Sequence, residues 1–366
     1  MTKSEKKHTP LIHVVKRDQG LVTWQFRLLV RAIAILAALL VCGVLITLLT
    51  GENPISVYES MFLGAFGTPR RIWYLFQNIA MLLCVSLAVT PAFKMKFWNI
   101  GAEGQTLVGG LACVSVMMFL GGTIPQPLLI VVMFAASVLA GMIWAVLPAI
   151  FKAYWNTNET LFTLMMNYVA TQLVAFFLKY FVKNGSGVLT TMPEYGLPVI
   201  GGQAYLLNIL VVAVLTVLIY VYMKFSKQGY EISVVGESEN TARYVGISVK
   251  RVIIRTMLIS GAVCGIAGLL LVGGTSHTIS TTTVGGRGFT AIMVSWLGKF
   301  NPLFMVLTSF LLIFLDVGAR QVATDFGISS SIASIVTGII LLFIIGCEFF
   351  LQYRLALRKN GKESAK

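Results

Sequence analysis

Charged residues are scarce in this chain. Only 11% of the 366 residues are Asp, Glu, Lys or Arg, whereas 57% are hydrophobic and the mean hydropathy is +0.84. Soluble domains carry about a quarter charged residues, so this composition excludes a soluble globular protein. Many apolar runs reach the roughly 20 residues that a helix needs to cross a bilayer. Because these runs are continuous rather than alternating, the sequence predicts an all-α, polytopic membrane protein and not a β-barrel.

The residues that build catalytic and metal sites are also few. The chain has three histidines and five cysteines, and no two cysteines form a CxxC pair. We therefore expect no metal site, no cofactor and no disulfide. Without paired intramembrane carboxylates or a histidine cluster, we expect no catalytic residues and no membrane-embedded enzyme. No GxxxxGK run followed by Ser or Thr occurs, so ATP, if it drives this protein, binds to another polypeptide.

The positive charges predict a topology. A net charge of +14 would suggest a nucleic-acid partner for a soluble protein. In a membrane protein it is better explained by Lys and Arg residues that gather in the loops on one side of the lipid bilayer. We predict about ten spans, near residues 28–50, 72–93, 99–120, 127–150, 160–181, 204–224, 252–272, 288–298, 302–319 and 329–350. With the N-terminus inside, 22 of the 28 Lys and Arg residues fall on the inner side, as the positive-inside rule demands. We therefore expect both termini in the cytoplasm and no nucleic acid as a partner.

Composition divides the chain into three parts. Residues 1–27 are predicted to be a basic cytoplasmic tail, residues 28–350 the transmembrane domain, and residues 351–366 a second cytoplasmic tail. No cleavable signal peptide is expected, because a full-length apolar run without a small-residue cleavage pattern follows the first tail. The eighth predicted span, Gly288–Gly298, is too short to cross alone, so it is either a half-helix or is extended by its neighbours.

The inner loop at residues 225–251 is the longest polar interruption in the second half of the chain. Ser238 can cap a short helix there, with Glu239 in its first turn, Arg243 near its end and Gly246 where the chain turns out. Such a helix on the basic side of a membrane protein suits docking onto a soluble partner. We interpret the loop as the segment through which that partner opens and closes a route across the membrane.

Two sets of polar residues occur within the spans. Asn99, Glu103 and Gln105 stand among Gly and Ala residues, and Thr163 and Asn167 continue a polar stripe along one face of the next-but-one helix. Polar groups at membrane depth face a cavity, a neighbouring helix or the backbone. Two interpretations stay open for each set. Both sets can line the solute route; otherwise the Glu103 motif fastens helix ends near the cytoplasmic surface, and the Thr163 stripe joins neighbouring helices by hydrogen bonds.

Four sequence runs together resemble one family. They are FWNIGAEGQ (97–105), NETLFTLMMNY (158–168), VVGESENTARYVGISVKR (234–251) and GRGFTAIMVSWLGKFNP (286–302). In this order they resemble the permease subunits of bacterial ABC importers for simple sugars and nucleosides, the branch that includes ribose and branched-chain amino acid permeases. The first two runs and their spacing are more similar to the nucleoside type than to the ribose type.

The resemblance implies an assembly in the bacterial plasma membrane. Two permease subunits, identical or homologous, surround a central route, with two ATPase subunits beneath and a lipid-anchored substrate-binding protein outside. The resemblance places the ATPase-coupling segment at Gly236, Glu237, Ser238, Glu239, Asn240, Thr241, Ala242, Arg243, Tyr244, Val245 and Gly246. The candidate route residues are Asn99, Glu103, Gln105, Thr163, Asn167 and Phe289.

The predicted function is therefore ATP-driven import of nucleosides or a related simple sugar, with a separate subunit that hydrolyses ATP. The alternative is a secondary transporter or facilitator that needs no ATP. Ion-coupled carriers place ionisable residues at mid-membrane, whereas four such residues lie near predicted span ends here: Glu103, Glu159, Asp316 and Glu348. Neither the Ser/Thr-rich stretch 275–283 nor the long first tail is assigned a role.

Overall fold

The computed structural model describes residues 12–17, 23–182, 189–327 and 329–357. Within them the chain forms thirteen α-helices and two short strands. The strands are β1 (Ile12–Lys16) and β2 (Tyr353–Leu357), and the helices are α1 (Trp24–Thr50), α2 (Pro54–Phe66), α3 (Pro69–Lys94), α4 (Ala102–Leu120), α5 (Gln126–Trp155), α6 (Glu159–Phe181), α7 (Leu206–Phe225), α8 (Lys227–Glu237), α9 (Glu239–Tyr244), α10 (Val249–Leu271), α11 (Arg287–Leu297), α12 (Pro302–Asp325) and α13 (Ser330–Gln352). Much of the two predicted tails, at 1–11, 18–22 and 358–366, lies outside the described residues.

Seven of the described helices are long and apolar enough to cross a membrane. They are α3, α4, α5, α6, α7, α12 and α10, which a π-helical turn, Val272–Ser276, extends. Shorter apolar stretches occur in α1 and α13, and α11 is shorter still. Each of the ten predicted spans overlaps a helix, but ten full crossings stay a prediction. The protein is a mainly helical, multi-pass membrane protein.

One compact unit comprises residues 66–314. Its most buried spans are α3 and α10, with 78% and 72% of their most apolar windows buried. Helices α4 and α5 approach α10 at glycines: a methyl group on Gly141 would collide with Gly261, and one on Gly109 would collide with Gly265. Helices pack this closely in membranes where small residues let their backbones meet.

The second unit comprises residues 1–65 and 315–366. Within it, Ser60 on α2 donates a hydrogen bond to Asp325 at the end of α12, with 2.6 Å between the oxygens. Strands β1 and β2 pair antiparallel, so a segment of each predicted tail joins the other. The sequence analysis did not predict this ribbon, because neither strand has a partner close in sequence.

Candidate solute route and coupling segment

The linker between α3 and α4 is held by the side chain of Asn99. Its Oδ1 accepts hydrogen bonds from the Gly101 N–H at 3.0 Å and from Gln105 Nε2 at 3.1 Å. Its Nδ2 donates to Gln105 Oε1 and to Ser260 Oγ, both at 3.3 Å. Asn99 and Gln105 are almost completely buried. Their amides are therefore engaged with protein groups and stabilise the break between the two helices.

Helix α6 contributes the other two buried candidates to the same linker. Thr163 Oγ1 accepts a hydrogen bond from the Ile100 N–H at 3.2 Å. Asn167 accepts from the Gly104 N–H at 2.8 Å and donates to the Ile100 carbonyl at 2.9 Å. The polar stripe on α6 thus packs against the Asn99 linker, and four of the six candidate route residues form one buried network.

This network lies deeper along the helices than its neighbour Lys96 suggests. The hydroxyl of Ser260, which Asn99 contacts, belongs to the middle of α10. The next residue, Gly261, packs against Gly141 at the centre of the 30-residue α5. The motif therefore does not lie near the cytoplasmic end of the helices, because the chain turns back into the bundle after Lys96, whose φ is 61°. Glu103, in the first turn of α4, shares this depth. Its place near a predicted span end is therefore no argument against an ion-coupled carrier.

Glu103 binds the start of α11. Its two carboxylate oxygens accept hydrogen bonds from the N–H groups of Gly286 at 2.8 Å and Gly288 at 2.7 Å. Gly286 has a φ of 76° and supplies no side-chain cap of its own. A side chain on Gly288 would collide with the Glu103 backbone. The glycines therefore let α4 and α11 meet, and Glu103 caps a helix that lies 183 residues further along the chain.

Helix α11 is a half-helix. Its 11 residues span about 16 Å at 1.5 Å per residue, roughly half of a 30 Å hydrocarbon core. The buried residues Gly288, Ala291, Val294 and Ser295 follow the helical period and face its neighbours. Ser295 Oγ donates to the Ser86 carbonyl of α3 at 3.1 Å. The short helix is thus fixed along α3.

The exposed face of α11 is aromatic. Phe289 is 45% exposed and Trp296, two turns later on the same face, is 50% exposed. The Trp296 ring stacks on that of Trp98 with 5.6 Å between centroids. Phe289 is therefore the one exposed residue among the six candidate route residues. Trp98 and Trp296 were not among the predicted route residues, although each lies within one of the four family-like runs and Trp296 follows Phe289 by seven residues.

A turn rich in hydroxyl groups precedes α11. Ile279 and Val284 are buried and anchor it, while Thr281 and Thr282 between them are exposed. The Ser280 N–H donates to the Thr283 hydroxyl at 2.7 Å. This turn is part of the Ser/Thr-rich stretch that the sequence left without a role, and it leads directly to the Glu103 contact.

The coupling segment has the predicted caps. Ser238 Oγ accepts a hydrogen bond from the Thr241 N–H at 3.2 Å and begins α9. Glu239 and Arg243 form an ion pair one turn apart at 3.2 Å. Gly246, with a φ of 81°, turns the chain out of the helix. The six-residue helix and both of its ends therefore agree with the prediction.

One side of the coupling segment is anchored and the other is open. A methyl group on Gly236, near the end of α8, would collide with the Lys94 carbonyl at the end of α3. Ala242 is fully buried, whereas Tyr244 is 92% exposed. Arg255 of α10 also pairs with Glu231 of α8 at 2.9 Å. The anchored side thus contacts α3 and α10, the two most buried spans.

Comparison with known proteins decides the family. The family of branched-chain amino acid transport system permease components matches residues 71–345. The chain belongs to this family. As a member, it is a permease component of a transport system, and several of its relatives bear names of ABC transporter permeases.

Three relatives align with almost the whole permease. The guanosine ABC transporter permease protein NupP of Bacillus subtilis (strain 168) is 32% identical, over 91% of this chain and 97% of its own length. The glucose ABC transporter permease protein TsgB13 of Haloferax volcanii is 30% identical over 91% of both chains. The nucleoside ABC transporter permease protein NupB of Lactococcus lactis subsp. cremoris is 29% identical over 92% of this chain and 96% of its own. All three are named as ABC transporter permeases; two are named for guanosine or nucleosides and one for glucose.

Proposed function

We propose that this permease is the membrane-spanning subunit of a bacterial ABC importer that translocates nucleosides. The observation that carries the proposal is the 32% identity to a guanosine permease over 91% of the chain. A second relative named for nucleosides supports it. A simple sugar is the second candidate, since a glucose permease aligns equally far.

The exposed aromatic groups favour a solute with a flat ring. Trp98, Phe289 and Trp296 expose about half of their side chains around α11, and aromatic faces stack well on bases. The hydroxyl groups of Thr281 and Thr282 can exchange hydrogen bonds with ribose. We assign this surface to the solute route, with Phe289 on the route. The structure behind this surface is stabilised by the hydrogen bonds of Asn99, Gln105, Thr163 and Asn167.

The proposed assembly places the chain in the plasma membrane with about ten crossings. Residues 1–27 and 351–366 are cytoplasmic tails, and the loop 225–251 lies on the same side as both. A second permease, identical or homologous, completes the route. An extracytoplasmic lipoprotein delivers the solute, and two ATPase subunits bind the coupling segments.

The proposed mechanism is linkage between two conformations. Nucleotide-driven closure of the ATPases moves the segment Gly236–Gly246, which contacts the end of α3 at Lys94. Such a movement changes access only if the ATPases bind the two conformations with different free energies. The open side of α9, with Tyr244 at its end, is the surface on which that difference arises.

Reconstitution tests this proposal against an ATP-independent facilitator. The permease is placed in liposomes with its ATPase, second permease and binding protein, and labelled guanosine uptake is measured. We expect uptake that requires ATP and all partners, and glucose tested in parallel should not accumulate. Accumulation of glucose alone would favour the sugar importer. Guanosine entry through the chain by itself would favour the facilitator and contradict the proposal.

A further inference from the structure

The start of α11 has the features of an anion site. A helix N-terminus carries free N–H groups and a partial positive charge, and it binds phosphate or carboxylate groups readily. In transporters, half-helices point such ends at anionic solutes near mid-membrane. Here the end borders open space: Gly285 and Phe289 are exposed, and a methyl group on Gly286 would meet no atom within 4 Å.

A protein carboxylate already occupies this end. The carboxylate of Glu103 accepts hydrogen bonds from the N–H groups of Gly286 and Gly288 at 2.8 and 2.7 Å. A phosphate bound at this helix end would accept hydrogen bonds from the same groups. The guanidinium of Arg287 interacts electrostatically with the same carboxylate. Arg287 is also held by Asn78 Oδ1 at 2.8 Å and by the Val284 carbonyl at 2.9 Å. The helix end and its cation are thus neutralised from within the chain.

We propose that Glu103 determines specificity for charge: it fills the anion site at the start of α11, so that the route admits neutral solutes and rejects their phosphates. This inference rests on the proposed function, since it takes the solute past Phe289. It also gives the buried carboxylate a role beyond capping. A cap alone could be a neutral amide or hydroxyl side chain, as Asn158 and Ser238 are at other helices.

The test compares Glu103→Gln with wild type in the purified permease. The amide keeps the size of the side chain and one acceptor, but it removes the negative charge and one acceptor. The thermal unfolding midpoint is measured against inorganic phosphate and guanosine monophosphate. We expect the half-saturating concentration of both anions to fall at least tenfold in Glu103→Gln. Glu159→Gln is the matched control, because Glu159 also lies in a first helical turn and pairs with Lys152 at 2.9 Å; it should respond as wild type.

A purely structural cap predicts a different result. Glu103→Gln would then unfold at a lower temperature with the same anion response as wild type, and the inference would be overturned. If Glu103→Gln does not fold, Glu103→Asp is measured instead. This variant retains the negative charge, so phosphate should not shift its unfolding midpoint. A phosphate-dependent shift in Glu103→Asp would also overturn the inference. The anion response does not depend on guanosine uptake, so failure of the uptake experiment and failure of this one are separate outcomes.

Discussion

Two polar regions of this apolar chain differ in where their hydrogen bonds go. In the network around Asn99, every polar side chain bonds to groups of the same bundle and is buried. In the coupling segment, the caps are local and the end of α9 is left open, with Tyr244 92% exposed. The buried polar groups therefore stabilise the bundle, whereas the exposed end of α9 is accessible to a partner. What distinguishes the two regions is whether their polar groups are hydrogen-bonded within the bundle, rather than how many polar groups they contain.

The largest effect is expected from removing the centre of the scaffold. Asn99→Leu leaves the Gly101 N–H, the Gln105 amide and the Ser260 hydroxyl without partners. We expect the free energy of unfolding to fall by about 3 kcal/mol, since each buried unsatisfied group costs roughly 1–3 kcal/mol. Thermal unfolding in detergent measures the change.

Asn158→Ala is the matched control, because this asparagine is an exposed cap of α6. Its loss should cost only about 1 kcal/mol. If Asn99→Leu were no more damaging than Asn158→Ala, the network would not be the scaffold, and the contrast with the coupling segment would disappear.

The second largest effect is expected at the proposed ATPase-binding surface of α9. Tyr244→Ala removes a side chain that is 92% exposed, so the unfolding temperature should not change. ATP-driven guanosine uptake should fall about tenfold, the consequence of losing roughly 1.4 kcal/mol of contact with the ATPase. Uptake and unfolding temperature are measured on the same preparations.

Two further variants sharpen this result. Tyr168→Ala removes another tyrosine, 61% exposed on the membrane-spanning α6, and should retain uptake. Arg243→Glu reverses the charge that pairs with Glu239 and should uncouple ATP hydrolysis from uptake. Normal uptake by both Tyr244→Ala and Arg243→Glu would show that α9 is not the coupling surface.

The smallest effect is expected outside both regions, at His277. Burial lowers the pKa of His277, and Glu194 opposes this. The unfolded chain therefore binds more protons below about pH 6.5. Stability is complete above that pH and falls as the pH drops through the lowered pKa. The unfolding temperature should thus decrease from pH 7.5 to pH 5.5, and His277→Asn, which tolerates the φ of 52°, should reduce the decrease. An identical pH profile in the variant would exclude His277 as the cause.

The sequence predicted the local parts of this molecule well. Apolar runs located the long helices, the length of Gly288–Gly298 left a half-helix as one of two possibilities, and Ser238 and Gly246 located the ends of α9. Each of these features depends on residues within one or two turns. Hydrophobic period, capping and turn preferences are properties of such short segments.

The tertiary contacts could not be predicted in the same way. Glu103 meets residues 183 and 185 positions later, and Trp98 stacks on Trp296. Nothing in the neighbouring residues encodes these partners. The charge of Lys96 even suggested the wrong depth for Asn99, because a turn with positive φ reverses the chain there. The sequence thus named candidate route residues but not their arrangement, and their role in the route stays a prediction.

Cross-linking of α9 tests the central claim most directly. The five native cysteines are buried, so Tyr244→Cys offers a single accessible thiol for a short bifunctional reagent in inside-out vesicles that contain the whole importer. The account predicts a covalent product with the ATPase subunit, altered by ATP, and none from Tyr168→Cys. A Tyr244→Cys thiol that reacts only from the extracytoplasmic side, or that never captures the ATPase, would contradict it.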